Sequence, residues 1–466
     1  MTRIPILTLA AAFVAGCGAM PADQGFAPVA RDVKARAGHD VAWLRDDEAR
    51  QLAADLTASL LAEPLTADSA TRVALVNNRD LQATFADVGI ATADAVQAAT
   101  PRNPVLDAAM KLPTDGGGVN LDFGVAFEFV DLLFLPSRGR AARADAEAAR
   151  LRVTGEALGL AARARAAFVA VQAASRDAAL AREALTVAEA RAEVAGVLRE
   201  AGNIAAGELA DAERALALAR LSASEAYGGH VAARERLSVA MGVRENGWRA
   251  EPAIPDPPAE AGPSRLEQRA LDASLEVAAA RQELIALGER NGLARRVIGD
   301  GEIGAVAERN EGAWELGPSI AVSLPLFDLG GARSAKARAQ VQQAEDRHAA
   351  AQVRVLSEAR AAEADLERAR ADAAESRDHV MPAGREMLRQ ASLSYNAMQI
   401  GIFDVLAARA LAIETERRHI AALAAYWTAR IRAELLAQGS MAEARPVARG
   451  ASAGQPAALA SSTGDH

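Results

Sequence analysis

Only one cysteine occurs in these 466 residues, so no disulfide can form within the chain and its rigidity has to come from packing. Aromatic residues are scarce at 4%, and no apolar run reaches the eighteen or so residues of a membrane-crossing helix. The six histidines (His39, His230, His348, His379, His419 and His466) are scattered without metal-ligand spacing, and no phosphate loop or nucleophile motif is present. The sequence therefore offers no catalytic residue, no metal site and no cofactor site. A net charge of -9 without any basic block argues against nucleic acid as a partner.

What the chain has is alanine. Hydrophobic residues make up 51% of it, supplied largely by alanine among Leu, Arg and Glu, all strong helix formers. From about 137 to 198 no proline intervenes, and some 60 residues at about 1.5 Å each predict a rod of roughly 90 Å. Leu151, Leu158, Ala161, Phe168 and Val171 recur at sevens and threes, and Leu406, Ile413, Ile420 and Trp427 at sevens. Those spacings lay an apolar seam along one helix face, as in coiled-coil packing.

Strands interrupt the helices twice. Val119, Leu121, Phe123, Val125, Phe127 and Phe129 alternate with Asn120, Asp122, Gly124, Ala126 and Glu128. Trp314, Leu316, Pro318, Ile320, Val322 and Leu324 alternate likewise with Glu315, Gly317, Ser319, Ala321 and Ser323. A period of two sends the sets to opposite faces of a strand, which suits both an outer-membrane strand and a half-buried strand of a soluble sandwich. Each strong strand has a weaker partner before it, 105–112 across a turn at 114–118 and 297–307 across a turn at 308–312. Four strands cannot close a barrel, and open edges in lipid leave backbone groups unpaired, so closure in a membrane would need further copies of the chain.

The two halves follow one plan: hairpin, long helix, turn, returning helix. The turn from Ala201 and Gly202 to Glu208 and Leu209 lines up with that from Ala397 and Met398 to Asp404 and Val405. We divide the chain into a signal peptide (1–16), an N-terminal anchored segment (17–67), a first repeat (68–250), a proline-rich linker (251–264), a second repeat (265–438) and a tail (439–466) expected to be disordered. Arg3, an apolar stretch at 4–14 and the tetrad Val14, Ala15, Gly16 and Cys17 read as an export signal. The tetrad resembles the bacterial lipobox, which would make Cys17 the acylated first residue of the mature chain and lipid its anchor. A simple cleaved signal beside an incidental cysteine is the alternative.

The plan resembles the TolC family of outer-membrane efflux ducts over about 68–438. Further strings support it: Asn103 and Pro104 before the first strand, Leu324 to Asp328 at the end of the last, Val380 to Ala383 in the second long helix, and Tyr395 followed by Asp404, Val405 and Leu406. The resemblance implies a mainly helical chain with four transmembrane strands, assembled as a homotrimer with a twelve-stranded barrel in the outer membrane and a helical tunnel in the periplasm. It implies a periplasmic adaptor and an inner-membrane pump as partners, and a passive conduit rather than an enzyme. It places Asp404, Tyr395 and Glu208 at a periplasmic gate. Met398, Ile400 and Ala407 depart from the family pattern, so an arginine-bridged gate is not expected. Asp404 fits a helix cap as well as a gate. The strings Leu61 to Thr66 and Asn77 to Gln82 are similar to those of heavy-metal efflux members. A periplasmic adaptor or structural coiled-coil lipoprotein is the competing reading, and it leaves the two hairpins unexplained.

Overall fold

The computed structural model describes residues 20–112, 119–245, 247–258, 265–294, 301–310, 313–323, 326–327 and 329–441. Cys17, the expected turn at 114–118 and most of the tail lie outside them. Four helices open the described chain: α1 (Ala27–Ala37), α2 (Asp47–Ala62), α3 (Ala67–Asn77) and α4 (Arg79–Ala98). Strands β1 (Val105–Lys111) and β2 (Asn120–Glu128) lead into α5 (Phe129–Glu200), which returns as α6 (Ala206–Met241). The second half has α7 (Leu266–Ala273), α8 (Leu275–Ala294), β3 (Gly301–Asn310), β4 (Ala313–Val322), α9 (Gly331–Glu375), a π-helical turn (Ser376–Val380), α10 (Met381–Asn396) and α11 (Ile402–Ala437).

The seam read from the sequence is the packed face of α5: Leu151, Leu158, Ala161, Phe168 and Val171 are all buried. The helix is longer than expected. It begins at Phe129 and runs 72 residues, about 108 Å. Pro136 lies inside it, where the missing N–H forfeits the bond to the Leu132 carbonyl, one bond in a very long ladder. One stretch of α5 is apolar enough to cross a bilayer, but 61% of it is buried within the chain, so it reads as a core helix.

Two end-to-end helix joints organise the helical body. Asn78 caps α4 by accepting from the Leu81 N–H (3.0 Å), while its side-chain amide donates to the Val239 and Ala240 carbonyls at the end of α6 (3.2 and 3.0 Å). Asn77 donates to the carbonyls of Met241 and Gly242. Helix α6 thus ends where α4 begins, and Gly242 (φ +68°) turns the chain away from α6 at that point; a Cβ there would lie 2.9 Å from the Asn78 Cα. The second joint has the same form. Ser274 caps α8 through the Val277 N–H (3.1 Å), and the Leu275 N–H donates to the Gly439 carbonyl after α11 (2.8 Å).

The N-terminal segment is built into this body. Val29 and Val33 are fully buried with Phe85, Leu158 and Ile431 in the largest apolar cluster, and Phe26 meets Phe85 edge-on at 4.8 Å. Arg36 Nη1 donates to the carbonyls of Ala273 (2.8 Å) and Gln438 (2.6 Å), tying α1 to the second joint. The proline-rich segment after Trp248 is strapped to the same body: Gln172 donates to the carbonyls of Glu251 and Ala253, and Trp427 to that of Pro255.

Both hairpins join one antiparallel sheet of order β1-β2-β3-β4, with β2 against β3. The second hairpin is tighter than the sequence suggested. Pairing continues through Glu308↔Glu315, Arg309↔Trp314 and Asn310↔Ala313, so Glu308, Arg309 and Asn310 are strand residues and not part of a turn.

Candidate functional site

Register fixes which side chains share a face of the sheet. Leu106, Val125, Ala305 and Pro318 align across the four strands, as do Ala108, Phe123, Ala307 and Leu316. Extended by alternation, this face carries Phe127, Ile303, Ile320 and Val322, and its large residues stay uncovered in the single chain: Leu106 is 73% exposed, Ile320 72% and Leu316 81%. Water does not favour so broad an apolar surface; a monomer normally covers it or presents it to a partner or lipid.

The other face is acidic. Asp107, Asp122, Glu128, Glu302, Glu308 and Glu315 lie on it with Lys111, whose Nζ is 2.5 Å from the Asp122 carboxylate. Asp122, Glu308 and Glu315 stand side by side in one cross-strand row. Adjacent like charges destabilise a sheet, and water or mobile counter-ions on that face relieve the repulsion. The sheet is thus apolar on one side, charged on the other, and open at β1 and β4.

At the far end of the helices lie the two turns. After α5, Gly202 adopts φ +75°, and after α10, Met398 adopts φ +59°. Each turn closes alike: Asn203 N–H donates to the Leu198 carbonyl and Gln399 N–H to the Ser394 carbonyl, both at 2.8 Å. Glu208 and Asp404 then occupy the same position, the third residue of the next helix. Glu208 Oε2 accepts from the Ala205 N–H (2.9 Å), and Asp404 Oδ2 from the Gly401 N–H (3.0 Å). The reciprocal bond of a full capping box requires a side-chain acceptor that Ala205 and Gly401 lack. Both carboxylates are exposed, and each places negative charge at a helix N-terminus, where it is favoured. Tyr395, 42% exposed, lies on the last turn of α10 and lends its carbonyl to the Met398 N–H (2.8 Å). Tyr395 and Asp404 therefore belong to one turn and Glu208 to the matching one.

Above the turns, α11 is tied to α5 by ion pairs: Arg165 to Glu434, Asp177 to Arg417, Arg176 to Glu416 and Glu183 to Arg409. Among the described residues no ion pair joins the two helices between Glu183 and the turn. Among the described residues no group of three His, Cys, Asp or Glu side chains could hold a metal ion.

A two-faced sheet set on long paired helices is an arrangement that solved outer-membrane channels share. The outer membrane channel CmeC of Campylobacter jejuni superimposes with a TM-score of 0.69 at 13% identity, over 81% of this chain and 86% of that one. The outer membrane protein VceC of Vibrio cholerae gives 0.63 at 17% identity, over 86% and 98%. The open-state MtrE outer membrane channel of Neisseria gonorrhoeae gives 0.60 at 18% identity, over 84% and 89%. At these identities the likeness establishes the fold. No family model and no curated protein matches the sequence.

Proposed function

We propose that this chain is a TolC-family outer-membrane exit duct, three copies of which close a twelve-stranded barrel above a helical tunnel and carry small solutes out of the periplasm. The observation that carries the reading is the sheet: an apolar face, a charged face and two open edges, standing on helices of about 100 Å. Lipid suits the apolar face and water the acidic one, while pairing β4 with β1 of the next copy satisfies the edges. The same arrangement disfavours an adaptor or a free-standing coiled coil, neither of which uses such a sheet. The duct itself performs no chemistry; a periplasmic adaptor and an inner-membrane pump would deliver cargo from below. Cys17, acylated, would tether the segment before α1 to the membrane.

Fractionation is the direct test. The mature chain is expected in the outer membrane, running in detergent at three times its monomer mass; a soluble or inner-membrane monomer would overturn the barrel.

Three copies of Asp404 would ring the tunnel axis at the periplasmic end and favour cations over anions, with Tyr395 and Glu208 beside the constriction. Asp404→Ala is expected to lower cation preference or change single-channel conductance in planar bilayers, and an unchanged current-voltage curve would leave Asp404 as a helix cap alone.

A further inference from the structure

Among the described residues, every side chain on the apolar face of the sheet is uncharged except one. Arg309 stands on it in the row Met110, Leu121, Arg309 and Trp314, which runs across all four strands beside the hairpin ends, the edge of the sheet farthest from the helices. The guanidinium is exposed and has no carboxylate partner among the described residues; Glu308 and Glu315, its neighbours in sequence or register, point to the opposite face. Trp314 lies directly across from Arg309, and its ring is tilted against that of Phe123 at a centroid distance of 6.2 Å.

An arginine on such a face is unfavourable in hydrocarbon and favourable where hydrocarbon gives way to headgroups. Its planar fork binds phosphate oxygens through paired N–H donors, and tryptophan prefers the same depth. If the sheet spans the outer membrane, as proposed above, the hairpin ends reach the outer leaflet, and this row meets its headgroups. We propose that Arg309, with Trp314 beside it, is a binding site for the phosphate of an anionic lipid in that leaflet. One such contact per chain would place a collar of phosphates around the assembled barrel and fix its depth.

The experiment uses the full-length protein, delipidated in a neutral detergent and titrated with diphosphoryl lipid A under native mass spectrometry, with diacylglycerol as the uncharged control. Arg309→Gln is expected to weaken lipid A binding roughly five-fold, the value of one cationic contact with an anionic headgroup. Arg309→Lys should retain part of the affinity, and diacylglycerol binding should not change. Equal lipid A binding by wild type and Arg309→Gln overturns the proposal, as does complete displacement of the lipid by millimolar inorganic phosphate, which would mark a plain anion site. The same spectra report the oligomer. A trimer whose lipid A binding is the same with and without Arg309 removes this inference alone, whereas a chain that never forms a trimer removes the barrel with it.

Discussion

Met398 holds at φ +59° a conformation that Gly202 holds at +75° in the matching turn. A Cβ makes the left-handed region costly, and Met398 recovers little in return because its side chain is 94% exposed. Met398→Gly is therefore expected to stabilise the protein by about 0.5–1 kcal/mol, read as a higher melting temperature; a lower one would mean that the side chain is held by contacts in the assembled state. The capping duty of Asp404 was legible in the sequence, and likeness to the family marked the departure from glycine at position 398. The equivalence of Asp404 with Glu208 was legible as an alignment of two turns. Their matched hydrogen bonds to Gly401 and Ala205 emerged only from the backbone geometry. Arg309 is not legible as a strand residue because the polar run Glu308, Arg309 and Asn310 reads as a turn, whereas cross-strand pairing draws it into β3.

Elements with a strong period could be read in advance. The alternation from Val119 to Phe129 anticipates β2, and the spacing of Leu151, Leu158 and Phe168 anticipates the buried face of α5. Ends were harder. Proline suggested a helix start near Ser137, yet α5 tolerates Pro136 and begins at Phe129, because a single lost bond is small against a helix so long and so well packed. The helix joints had no sequence signature at all, since Asn78 and Ala240 are remote in sequence and no period connects them. Asn77 and Asn78, part of the string similar to heavy-metal efflux members, have a structural duty here. Asn78→Ala removes a cap and leaves two carbonyls at the end of α6 without their amide donor, and should cost about 1–3 kcal/mol in thermal or denaturant unfolding. Asn78→Asp keeps the cap acceptor but sets a carboxylate oxygen against the same two carbonyls, and should cost at least as much.

For the molecule as a whole, composition excluded disulfides and pointed to helix, but it gave no hint that the segment before α3 is part of the core. Burial of Val29 and Val33 joins that segment to both halves of the chain, and Arg36 secures it. Burial lowers the Arg36 pKa, yet the guanidinium stays protonated and holds two carbonyls of the second joint. Arg36→Ala is expected to destabilise the protein by about 2–3 kcal/mol and to hasten hydrogen exchange at the Leu275 amide; exchange unchanged at that amide would show that the joint stands without it. Gly439 (φ +90°) belongs to the same arrangement, for a Cβ there would collide with the Ala273 carbonyl.

The two joints have a consequence for how such a chain can be cut and rebuilt. Residues 79–241 leave the body beside Asn78 and come back beside Asn78; residues 275–438 leave and come back beside Ser274. Each excursion, hairpin and long helices together, is topologically an inserted module whose entry and exit share one doorway. The small remainder, 20–78, 242–274 and 439–441, is a socket carrying two plugs of nearly equal length. Exchanging one plug for its counterpart from a related duct should therefore leave the socket's own hydrogen bonds intact, provided the asparagine or serine at the doorway and the glycine that faces it travel with the socket.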